Sequence, residues 1–144
     1  MERILVAMDP EQIQNFAGIH ALNLAKRISA KVFFLLVLPL PPRSGAQLNE
    51  SDSEMAARSR VEGLIREARA DGISVDYYTA YGDYEREMVN FVQENKVTLL
   101  VIESQAGPND STEAYKEFLE NLRHRINCRI EVVNEKVKNP ERKE

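Results

Sequence analysis

The chain has one cysteine, no tryptophan and two histidines in 144 residues. With Cys128 alone, an intramolecular disulfide and any cysteine-cluster metal site are excluded. Positive charge is short as well: 19 Lys and Arg against 23 Asp and Glu leave −4 at neutral pH. No basic excess exists to collect phosphates, which argues against general nucleic-acid binding. Long apolar runs are missing. The longest, Val32 to Leu38, falls far below the about 20 residues that span a bilayer. Met1-Glu2-Arg3 leads straight into Ile4-Leu5-Val6-Ala7-Met8, so no n-region, h-region and cleavage site can be read. A cytoplasmic protein with no membrane partner is expected. With only 6 Gly and 6 Pro, and with 43% hydrophobic and 29% charged residues, the chain is neither low-complexity nor disordered.

What is present alternates between two periods. Ile4 to Met8 is a continuous apolar run stopped by Asp9-Pro10, which suits a strand covered on both faces. Ile13, Phe16, Ala17, His20, Ala21, Leu24 and Ile28 recur at three and four, a helix with one buried stripe. Val32 to Leu38 reads as a second buried strand. The breaker-rich residues 39–53 read as a long loop, and Asp52 or Ser53 can cap the next helix. Ala57, Val61, Leu64, Ile65 and Ala68 form that helix's stripe, with Gly72 suited to the left-handed position past its end. Ile73, Val75, Tyr77 and Thr79 alternate with polar neighbours, as in an edge strand. Gly82-Asp83 makes a turn and cap before a helix marked by Met88, Val89 and Val92. Val97 to Ile102 is a further buried strand. Asp110 to Glu113 opens a helix with the stripe Tyr115, Phe118, Leu119, Leu122 and Ile126, and Arg129 to Val133 is the last strand.

This βαβαβαβαβ order predicts one α/β domain over residues 1–134, with a charged, flexible tail at 135–144. The fold expected is a three-layer, doubly wound, five-stranded parallel sheet in the order 3-2-1-4-5, with four main helices. Ligands of such sheets bind beyond the carboxyl ends of the strands where the strand order reverses, which directs attention to Asp9 and Glu103.

The opening Arg3 to Asp9, the strand Val32 to Val37, Gly82 before the third helix and the strand Val97 to Ile102 resemble the universal stress protein A family over about residues 2–134. The resemblance implies a nucleotide lying against Ala7, Asp9, Val37 and Ile102. ATP-binding members carry G-x2-G-x9-G-[ST] after the fourth strand. Aligned without a gap, those positions fall here on Glu103, Ala106, Lys116 and Glu117; none matches, and Gly107 stands one place late. A phosphate cradle needs glycines so that backbone N–H groups converge on the oxygens at a free helix start. Here Asp110 and Glu113 fill that helix start themselves, and Glu103 adds a third carboxylate. The phosphate loop therefore reads as degenerate, and no cofactor is expected, with ATP or AMP the disfavoured alternative.

Other residues take plainer readings. Asp9, Glu103, Asp110 and Glu113 are read as caps and solvated acids rather than a divalent-cation site, since no recognised cation spacing is present. No metal ligand set and no catalytic residue is assigned. His20 is expected as a partly buried histidine on the first helix's stripe, His124 on a solvated face, and Cys128 as a small hydrophobe whose thiol Arg123 and Arg125 would acidify. Arg123, Arg125 and Arg129 form the densest basic cluster, read as two helix-face arginines that complement a helix end with Arg129 close by. Tyr77, Tyr78, Tyr81 and Tyr84 are expected to cover the sheet at its edge. In the last strand, Arg129, Ile130, Glu131, Val132 and Val133 offer an edge to a second copy, and relatives resembling this chain dimerise there. The leading expectation is a non-catalytic, dimeric interaction or signalling protein of the stress response, with a protein partner still to be identified. The runner-up is an adenine-nucleotide-binding regulator with an atypical phosphate loop. An enzyme of the wider hydrolase-like fold would need a phosphate loop or a nucleophile, and neither is found.

Overall fold

The computed structural model describes residues 2–10, 15–40, 52–103 and 113–133. The strands are β1 (Arg3–Met8), β2 (Lys31–Leu38), β3 (Ser74–Tyr81), β4 (Leu99–Glu103) and β5 (Arg129–Val133). Between them run α1 (Phe16–Ile28), α2 (Asp52–Ala70), α3 (Tyr84–Asn95) and α4 (Glu113–Arg125). All strand pairs are parallel, in the order β3-β2-β1-β4-β5.

The continuous apolar runs become the middle of the sheet because only a strand covered on both faces can bury every residue. Ile4, Val6, Met8, Val32, Phe34, Leu36 and Leu38 pack under α1 and α2, while Leu5, Ala7, Phe33, Leu35 and Val37 pack under α3 and α4. Both edge strands are wetter, as their alternating sequences predict.

Local signals end the elements. Gly72 has φ +83° just beyond α2, and the Asp83 carboxylate accepts from the Arg86 N–H at 2.9 Å at the start of α3. Two boundaries differ from the sequence reading. Helix α2 already begins at Asp52, inside the stretch read as loop to residue 53, with Asp52 and Glu54 placed favourably in its first turn. Strand β4 begins at Leu99 rather than Val97, because the Val97 N–H closes the end of α3 on the Val92 carbonyl at 3.1 Å. Thr98 then ties β4 to β1, its hydroxyl accepting from the Arg3 N–H at 2.9 Å. Residues 41–51, Ile13, Ala106, Gly107, Asp110 and the tail 135–144 lie outside the described residues.

Candidate functional site

Strand order reverses at β1, so its carboxyl end and that of β4 open one crevice. Asp9 follows β1 and Glu103 ends β4. Helix α1 starts beside them without a cap of its own: Asn15, in the cap position, makes no side-chain capping bond. Glu103 supplies the missing acceptor from another element, its Oε2 taking the Ala17 N–H at 3.1 Å. Burial raises the Glu103 pKa, the N–H groups of Ala17 and Phe16 lower it, Asp9 raises it and Arg60 lowers it; the net shift is upward. A recess of about 10 Å³ lies between Met8, Asp9, Asn15, Leu36, Ala57, Arg60 and Val61, the room of one water.

The other side of the crevice is aromatic. Tyr84 opens α3, and its hydroxyl donates to the Ala7 carbonyl at 3.0 Å. Its ring stacks on Phe118 of α4 with centroids 6.2 Å apart. Burial first, then the electrostatic influence of Asp9, Tyr115 and Glu103, push its phenol well above the ordinary value, so it remains a donor at neutral pH.

Ala7, Val37 and Ile102 are buried together under α3 and α4. Lys116 and Glu117 lie on an exposed face of α4. Glu113 is exposed in the first turn of α4, and no group of three metal-ligating side chains is found among the described residues.

Three sequence readings need correction. His20 is exposed rather than on the buried stripe, and its Nε2 lies 2.7 Å from Glu131 Oε1 on β5. The stripe of α1 runs through Ala17, Gly18, Ala21, Leu22 and Ala25, which turns position 20 outward. Burial raises the Cys128 thiol, and the cation that acts on it is Arg129 rather than Arg123 or Arg125. Those two arginines pair with Glu120 and Glu85 instead. Tyr84 belongs to the crevice, not to the β3 edge; its place directly after the Asp83 cap was the available signal.

The residues 1–134 match the profile of the universal stress protein family. The chain belongs to the universal stress protein family. Solved universal stress proteins share its fold. One in complex with cAMP is 18% identical, with TM-score 0.64 over 92% of this chain and 96% of that one. A protein from Archaeoglobus fulgidus in complex with dAMP is 14% identical, with TM-score 0.60 over 92% and 97%. One from Arabidopsis thaliana with AMP bound is 12% identical, with TM-score 0.59 over 99% and 97%. No curated protein matches at a significant level.

Proposed function

We propose that this universal stress protein is a cytoplasmic, non-catalytic interaction or signalling module that works as a homodimer, without a nucleotide cofactor. The observation that carries the reading is the Glu103 carboxylate on the Ala17 N–H. That carboxylate, with Asp9 acting on it, stands at the end of β4, where the phosphate loop of ATP-binding relatives begins. The residues aligned with the phosphate-loop glycines, Glu103, Lys116 and Glu117, cannot offer a glycine's close backbone approach. These residues support a reading without the family's ATP.

The last strand supports the dimer. Arg129 directs its N–H to the Thr98 carbonyl of the neighbouring strand end. Alternation along a strand then turns the backbone N–H and C=O of Ile130 and Val132 away from β4, and among the described residues no strand pairs with that edge, which suits an antiparallel second copy. A thermal-shift titration with ATP, ADP and AMP tests the nucleotide half. Flat melting curves support the reading, and a rise of several degrees refutes it. Light scattering on a sized sample tests the dimer, and a monomer refutes it.

The complexes of relatives with AMP, dAMP and cAMP favour one second reading, an adenine-nucleotide regulator using Asp9, Val37 and Ile102. It requires stabilisation by AMP in the same titration.

A further inference from the structure

Strand β5 ends the sheet, and among the described residues no strand pairs with its outer side. Successive side chains of a strand point to opposite faces. Ile130 and Val132 pack with the cluster under α3 and α4, and Val133 packs with the cluster under α1 and α2. Arg129 and Glu131 therefore share the α1 face with Val133. His20 of α1 meets Glu131 there, its Nε2 standing 2.7 Å from Oε1, with the two side chains 45% and 42% exposed. Imidazole nitrogen and carboxylate oxygen are both zinc donors. Within one chain the pair stops short of a metal site, because no third ligand joins it among the described residues.

A second copy changes that count, and here the inference rests on the proposed β5 dimer. The antiparallel register that matches all of Arg129–Val133 sets Ile130 against Val132 and Glu131 against its own symmetry mate. Ile130 and Val132 carry the outward backbone groups, so the Glu131 pair is a non-hydrogen-bonded one, with Cα atoms about 4.5 Å apart and side chains close. Like charges directly opposite one another repel. Arg129, the cation nearest in the strand, is held by Glu2 at 3.0 Å. Each Glu131 brings its His20, so two nitrogens and two oxygens gather at the axis.

We propose that His20 and Glu131 of both copies form a zinc site on the two-fold axis of the dimer. Zinc takes such a mixed donor set in a tetrahedron at about 2.0–2.2 Å, and its two charges offset both carboxylates. Magnesium demands an octahedron of oxygens, which this set does not offer. The donor atoms of one chain, now 2.7 Å apart, need to open to roughly 3.3 Å, a small shift for half-exposed side chains. The site is incomplete without the second copy, so zinc binding and pairing reinforce each other.

The probe is zinc chloride, with magnesium chloride as control, added to the metal-free full chain. Calorimetry and light scattering are run on wild type, His20→Ala, Glu131→Gln and Val132→Pro. Wild type should bind one zinc per two chains and dimerise about tenfold or more tightly with it, and should ignore magnesium. His20→Ala, a change at an exposed position, should keep its fold and lose the zinc response. Glu131→Gln should lose it too, while dimerising more tightly than wild type in chelator, because the repulsion is gone. Val132→Pro, which cannot pair through its outward N–H, should lose the uptake of one zinc per two chains. Absence of a zinc response, one zinc per chain, or an unchanged response in His20→Ala overturns the proposal. A dimer in chelator that ignores zinc overturns the zinc site alone and leaves the dimer reading standing. A monomer in chelator that zinc converts to a dimer supports the zinc site and refutes a dimer held by the strands alone. A monomer under both conditions overturns both.

Discussion

Glu103 holds its proton more tightly than an ordinary glutamate because burial outweighs the N–H donors of Ala17 and Phe16. A folded-state pKa above the unfolded one means the native state keeps a proton that the unfolded state has lost. Stability from this group is therefore complete below the unfolded pKa and falls as pH rises through the folded one. Glu103→Gln removes that slope. Urea midpoints measured from the ordinary glutamate range up to neutrality should fall for wild type relative to the variant; parallel curves would refute the assignment. Gly72 gives a second test at this scale. An added Cβ would meet nothing within 4 Å, but φ is +83°. Gly72→Ala should cost roughly 1–2 kcal/mol from backbone strain alone, read as a shifted denaturation midpoint with an unchanged slope. At this scale the sequence was readable where a local rule applied, as at Gly72 and Asp83. It was not readable where the partner came from a distant element, as for Glu103 with Ala17 or His20 with Glu131.

At the scale of elements, alternating apolar periods were enough to locate all nine. The boundaries depended on neighbours. Strand β3 runs on to Tyr81 because Leu38 of β2 pairs with it, and β4 starts late because α3 uses Val97 to finish. Close approach between elements is also invisible to periodicity. Gly18 of α1 lies so near its neighbours that a Cβ would stand 3.0 Å from Leu64 Cδ1 and 3.0 Å from Phe34 Cε2. Phe34 is fully buried and cannot give way. Gly18→Val should destabilise by about 1–3 kcal/mol through overpacking, seen as a lower unfolding midpoint; an unchanged midpoint would mean that α1 slides outward without cost.

For the molecule as a whole, the alternation of strands and helices was enough to give a parallel sheet covered on both faces, while the order β3-β2-β1-β4-β5, expected by analogy with Rossmann-like sheets, is what locates the crevice. What the sequence left open is how the crevice is filled, since that depends on α3 and α4 bringing Tyr84 and Phe118 together. The same distinction governs a test of the dimer. Ile130 and Val132 pack against the core under α3 and α4, so an aspartate there would disturb the fold along with any interface. Val132→Pro is the cleaner probe. It removes an outward N–H, leaves the β4 side of the ladder intact and keeps an apolar side chain. Light scattering should report a monomer with a near-wild-type circular dichroism spectrum. A dimer that survives would place the interface elsewhere.

The hydroxyl of Thr98 on the Arg3 N–H joins residues 95 positions apart, and this spacing bears on how the protein is made. During synthesis at roughly 5–20 residues per second, the first strand leaves the ribosome well before its partner on that flank exists. Its hydrophobic, unpaired side must wait several seconds for Leu99 to Val101 to arrive. A nascent chain stalled in that interval exposes a ready template for mispairing, so the order of translation makes the newborn protein a candidate for chaperone protection, however stable the finished one is.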